Sequence, residues 1–235
     1  MMKECQGAGF ITLVSERIID LFAIRKSDIN AWDIAWALSH NNRYNGQTPV
    51  PWDVLSHTGM VYALYMADHR NDADPKVALS LLLHDAAEAY TGDLIQPIKM
   101  LPQMTWFVEL EDAITEVVFD AFGLDWMNTD WDIIKHYDYL AVKHEIHWLK
   151  PTSNTHSFFR YIDVPVDRYM PLGKAKPWEL IELLKDPKFG VNNPDLFTVP
   201  EILKPYLAEV GTARVEETVD LPPTPKASDL DRMKV

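Results

Sequence analysis

Between residues 30 and 150 the apolar positions keep to helical spacing. Ile34, Ala35 and Leu38 share one face of a helix expected over residues 30–39, and Val54, Leu55, Val61, Leu64 and Tyr65 do so over 52–69. Leu79, Leu81, Leu82 and Leu83 form a denser run that predicts a buried helix, entered at Asp74-Pro75. Phe107, Leu110, Ile114, Val117, Val118 and Ala121 give an amphipathic helix over 105–122, with acidic residues expected outward and Gly123 stopping it. A last long helix is expected over 128–150, around Ile134, Leu140, Ala141 and Ile146. Trp32 and Trp36 are expected in the core.

The remaining segments read differently. Residues 10–22 hold two short β-prone runs around Ser15-Glu16-Arg17, which predicts a small hairpin. Asn45-Gly46 and two prolines make 40–51 a loop. Residues 152–173 read as loop, 176–184 and 199–210 as short helices, and 211–235, with Glu216, Glu217, Pro222, Pro223 and Pro225, as an extended acidic tail. The expectation is an all-α fold with a small N-terminal hairpin, one domain over 1–210 and a tail over 211–235.

Composition narrows the class. The chain has 235 residues, 47% of them apolar, and eight Trp, enough for one substantial core. A single Cys, Cys5, excludes an internal disulfide framework and suits a reducing cytoplasm. The first residues lack the apolar core of a signal peptide, and no apolar run approaches the roughly 20 residues of a membrane span. A soluble, cytoplasmic protein is expected, in the host cytoplasm if phage-encoded. The net charge of −13 argues against a nucleic-acid polymer as partner, because backbone binding needs Lys and Arg to displace counterions. No contact with a membrane is expected.

Candidate chemistry gathers after the leucine run. Adjacent helical residues diverge by about 100°, so His84 and Asp85 can offer an imidazole nitrogen and a carboxylate oxygen to one ion. Glu88 falls on the same face one turn along, where it can hold a water. Gly92 is expected as a left-handed C-cap that turns Asp93 back toward that end, and Pro97 prevents continuation. A lone His-Asp pair also arises by chance, and a helix-end Asp is commonly a cap. Arg43 in the loop presents a planar donor fork suited to phosphate, or is a solvated surface residue. His144 and His147, three apart, could clamp a zinc ion and make a dinuclear centre. Asp130 and Asp132 are expected as first-turn capping carboxylates.

The string His84-Asp85-Ala86-Ala87-Glu88-Ala89-Tyr90-Thr91-Gly92-Asp93, continuing to Lys99, closely resembles the central motif of HD-domain phosphohydrolases. The branch resembled includes the bacterial deoxyribonucleoside 5′-monophosphatases and the phage dATP triphosphohydrolases. Two further stretches carry the likeness: Arg43 in a loop followed fourteen residues later by His57 opening a helix, and Asp138 followed by an apolar pair and then Glu145. The resemblance spans about residues 10–150. It implies an HD-domain helical bundle and a single divalent metal held by His57, His84, Asp85 and Asp138, with His40 a poorer candidate than His57. It also implies homo-oligomers.

Mixed imidazole and carboxylate ligands suit Mn²⁺, Co²⁺, Fe²⁺, Ni²⁺ or Zn²⁺, with Mg²⁺ a further candidate. The implied reaction is hydrolysis of a deoxynucleotide. Glu88 or Asp93 handles the attacking water, Arg43 neutralises phosphoryl charge, Lys99 assists, and Tyr44, then Trp52, shape the base or sugar pocket. The Arg43-Tyr44-Asn45-Gly46 loop looks more like the phage members than the cellular monophosphatases, where Trp follows the Arg. Products would be deoxynucleoside with phosphate or triphosphate, with a slight preference for dATP or dAMP. From another class, the fold could serve as a nucleotide-binding or assembly module without turnover.

Overall fold

The first three helices start where side-chain oxygens meet the orphan amides of a first turn. In the computed structural model, which describes residues 9–149 and 174–213, Asn30 accepts from the amides of Trp32 and Asp33 to open α1, Ala31–His40. Asp53 accepts from Ser56 to open α2, Val54–Asp68. Asp74 accepts from Lys76 and Val77, with Pro75 in the first turn of α3, Pro75–Leu83. Each cap contributes about 1 kcal/mol. The loop expected over 152–173 and residues 214–235 of the expected tail lie outside the described residues.

The chain is mostly helical, with one two-stranded antiparallel sheet at its N-terminal end. β1, Phe10–Thr12, pairs with β2, Ile18–Asp20, in the register Ile11 to Ile19. The hairpin docks through its turn: Ser15 donates its amide and hydroxyl to the buried Asp33 carboxylate, at 2.9 and 2.8 Å. Trp32 is buried as expected, whereas Trp36 is only half-buried and stacks on His40.

Residues Ala78 to Leu83 of α3 are all buried, so this helix is covered on every side. It packs on α2, on α6, Thr105–Ala121, and on α7, Trp131–Leu149. Met60, Val61 and Leu64 of α2, Leu81 of α3, and Ile134, Tyr137 and Ala141 of α7 share one core cluster. On α6 the buried face includes Ile114, Val118 and Phe119, and also Glu111. The expectation that every acidic residue of this helix faces outward therefore fails at Glu111, whose carboxylate lies 2.9 Å from Lys99 Nζ.

The buried helix does not run on through the His-Asp pair. It ends at Leu83, and amides of Ala86, Glu88, Ala89 and Tyr90 bond three residues back through the turn and into the short α4, Glu88–Thr91. Such i to i+3 bonding turns three residues per revolution, so Asp85 and Glu88 stack one above the other. Gly92 has φ 79° and ψ 160°. This is an extended positive-φ conformation, essentially confined to glycine, and not the left-handed cap expected. It leads into α5, Gln96–Lys99.

α8, Pro177–Leu184, packs on α1. The contacts divide the chain into Met1–Pro200 and Glu201–Val235. Within the second unit α9 spans Lys204–Ala213, past the expected start of the tail at residue 211. Among the described residues no helix is long and apolar enough to cross a membrane.

Candidate metal centre

Four elements bring the candidate residues together. α2 carries His57 one turn beyond its Asp53 cap, the turn after α3 carries His84 and Asp85, α7 carries Asp138, and the loop between α1 and α2 carries Arg43. Ligand atoms of His57, His84 and Asp85 all lie within 4.8 Å of one another, the one such three-residue group among the described residues. Asp138 Oδ1 lies 3.0 Å from His57 Nε2, and Asp85 Oδ2 lies 3.2 Å from His84 Nε2 and 3.6 Å from His57 Nε2.

The tautomers follow from the other ring nitrogens. His57 Nδ1 sits 2.7 Å from Glu145 Oε1, and His84 Nδ1 sits 2.8 Å from the Leu81 carbonyl. Both partners only accept, so each Nδ1 donates and each Nε2 points to the carboxylates. Both Nε2 atoms are buried, and neither has a hydrogen bond of good geometry. Two orphaned imidazole nitrogens facing two carboxylates fit a divalent ion of the imidazole-and-carboxylate class. Side-chain exposure rises from 0% at His57 and 5% at His84 to 21% at Asp85 and 40% at Asp138, so the group is open on its carboxylate side.

Charge is finely opposed here. Burial and Arg43 disfavour a proton on His57, yet Glu145 and Asp138 outweigh them and raise its pKa to about 10. His84 rises too: burial opposes, and Asp85 prevails. Burial works against charge on Asp85, but His84, His57 and Arg43 hold it far below the usual carboxylate range. Glu88 goes the other way, pushed well up by burial and then by Asp85 and Asp93. Burial also raises Asp93.

Glu145 was passed over as a site residue in the sequence, although it closes the motif that begins at Asp138. Its fully buried carboxylate accepts from Tyr44 Oη at 2.5 Å, Trp52 Nε1 at 2.7 Å and His57 Nδ1 at 2.7 Å, and Arg43 Nε lies 3.3 Å away. Burial favours its neutral form, but Arg43 and His57 lead the groups that bring its pKa to about 2. One signal was available: Glu145 follows Asp138 by seven residues, two helical turns, and so shares its face.

Two residues expected to shape a substrate pocket belong to this network. Trp52, expected in a substrate pocket, is 3% exposed with its indole N–H committed to Glu145. Tyr44 sits beside the metal group with φ 57°, a left-handed conformation that costs a non-glycine residue about 1–2 kcal/mol. Its hydroxyl bond to Glu145 helps hold it there. The loop closes at its base through the Asn42–Asp53 bridge and the Arg43 amide on the Trp52 carbonyl, which delivers Arg43 Nη1 to 3.6 Å from Asp85 Oδ2.

Lys99 Nζ lies 3.2 Å from Glu88 Oε1 and 2.9 Å from Glu111 Oε2, so its charge is shared between two carboxyls. His40 bonds the Trp36 carbonyl on α1. His144 is buried while His147 is exposed, and among the described residues they join no three-ligand group. Asp130 accepts from the Ile133 amide and caps α7.

A cleft of about 470 Å³ adjoins the centre. His84, Asp85 and Asp138 share its lining with Trp126, Trp131 and Ile134 and with the charged pair Asp112 and Lys135. Nothing in the sequence had singled out Trp126 or Trp131.

No family model matches the chain. It is 36% identical over 118 residues to an uncharacterized protein of Rhodobacter capsulatus, covering 48% of this chain and 57% of the relative. It is 30% identical over 117 residues to the uncharacterized protein YfdR of Escherichia coli K12, covering 49% of this chain and 60% of the relative. The chain thus spans less than two thirds of the length of either of these curated relatives.

Proposed function

We propose that the protein is a metal-dependent phosphohydrolase of the HD-domain type acting on deoxynucleotides, with His57, His84, Asp85 and Asp138 as metal ligands. The carrying observation is the convergence of two buried, orphaned Nε2 atoms on two carboxylates, with each Nδ1 held by a fixed acceptor. A bound divalent ion would supply Lewis acidity toward a phosphoryl oxygen and acidify a solvent water.

The chain's own groups supply the rest. Arg43, fixed between Asp85 and Glu145, offers its guanidinium to the charge that grows on the phosphoryl oxygens. Glu88 and Asp93 are the proton carriers: as water oxygen bonds to phosphorus and the bond to the nucleoside oxygen breaks, the ionised member of the pair takes the proton that water sheds and the protonated member gives its proton to the departing nucleoside oxygen. Lys99, 3.2 Å from Glu88, favours its charged form where burial and Asp85 disfavour it, which keeps a buried carboxyl able to change charge.

Turnover of a deoxynucleotide panel with Mn²⁺ or Co²⁺, followed by phosphate, triphosphate and nucleoside release, tests the proposal. Activity should require added metal, Asp85→Ala should lose both metal and activity, and Glu88→Ala should keep the metal while slowing turnover about 10²–10⁴-fold. A fully active Glu88→Ala would remove Glu88 from the mechanism. A protein that binds metal and hydrolyses no member of the panel would overturn the reading.

A further inference from the structure

The cleft beside the metal group is far larger than a phosphate needs, and it lies in the size range of small-molecule sites. Its wall away from the ligands is aromatic and built in advance. Trp131 stacks on the fully buried Phe119, with ring centroids 5.5 Å apart and planes within 13°. Trp126 meets Trp131 edge-on at 4.4 Å and Phe119 at 5.9 Å.

Hydrogen bonds fix the turn that carries these rings. Trp131 Nε1 donates to the Trp126 carbonyl at 3.2 Å. Asp125 accepts from the Met127 amide at 3.0 Å and from Asn128 Nδ2 at 2.6 Å, and the Thr129 hydroxyl donates to the Asp125 carbonyl at 2.7 Å. Both indoles remain only partly buried. A wall meant solely to close the core would not share a cleft with His84, Asp85 and Asp138.

We propose that this cleft binds the nucleobase of the substrate, with Trp126 and Trp131 as its stacking platform. The assignment rests on the phosphohydrolase reading for the position of the phosphate, and it moves base recognition from Tyr44 and Trp52 to the turn before α7. An indole accepts any base through its π face, so stacking supplies affinity. Asp112 and Lys135, one acceptor and one donor in the same lining, are placed to tell base edges apart.

Free deoxynucleosides contain no bond for the enzyme to cut, so their binding reports the platform independently of turnover. Equilibrium dialysis of the four deoxynucleosides against Mn²⁺-loaded protein should detect binding that 2-deoxyribose alone does not show. Trp126→Ala should weaken it at least about tenfold, and Trp126→Phe, which keeps a ring, should stay within about threefold of the wild type. Absence of nucleoside binding by the wild type, or equal binding by Trp126→Ala, overturns the assignment. Nucleoside binding without hydrolysis of any nucleotide would sink the phosphohydrolase reading and leave the platform. Hydrolysis with no effect of Trp126→Ala on nucleoside binding would do the reverse.

Discussion

Glu145 lies outside the proposed ligand set yet holds the groups around it in place. Its carboxylate fixes the His57 ring through Nδ1 and anchors Tyr44 and Trp52, with Arg43 Nε 3.3 Å away. Glu145→Gln keeps the shape and removes the charge. Metal affinity should fall about 10–100-fold, the usual cost of losing a partner behind a ligating histidine. The His57 titration, followed by NMR in the metal-free protein, should also drop from about 10 toward the ordinary imidazole range. An unmoved His57 titration would deny Glu145 this role. His144→Ala, in contrast, should leave one metal per chain by elemental analysis; loss of metal would revive the dinuclear arrangement.

At the scale of elements, the segment after α3 carries most of the residues on which the proposed function depends. Gly92→Ala tests it, because a Cβ there meets no atom within 4 Å, so any effect comes from the backbone. Holding alanine at φ 79°, ψ 160° costs about 1–3 kcal/mol. For a chain of this size that lowers Tm by roughly 2–4 °C per kcal/mol. Asp93 follows directly, so kcat should fall while metal content stays intact; unchanged kcat would detach Asp93 from the reaction. Much of this element was readable beforehand. Asp74-Pro75, the leucine run, His84 and Asp85 are local signals, and each lies where its neighbours dictate. The break at Leu83 was not readable, since i to i+3 and i to i+4 bonding suit the same residues. Glu145 and the Trp126–Trp131 wall were missed for a different reason: their meaning lies in partners such as Tyr44, 101 residues from Glu145, and Phe119 on a separate helix.

For the molecule as a whole, a metal at the proposed centre would compete with protons for the same atoms, so pH would set the outcome. In the metal-free fold the His57 pKa stands at about 10 against 6.5 unpaired. A raised folded value means stability that is full below 6.5 and drains away as pH rises through about 10. Glu145 works oppositely: with its pKa lowered to about 2 from 4.5, its contribution is full above 4.5 and is lost as pH falls through about 2. Between them these two groups therefore contribute most to the metal-free protein from about pH 4.5 to 6.5. A metal must displace the His57 and His84 protons, so its affinity, and the stabilisation it brings through binding only the folded chain, should grow with pH. Thermal melts with and without Mn²⁺ from about pH 5 to 9 measure the metal's contribution. The metal-induced gain in Tm should be small at the acid end and increase steadily toward the alkaline end, with protons released on titration in calorimetry. A gain that is constant or falls with pH would mean that the ion binds elsewhere than on these two imidazoles.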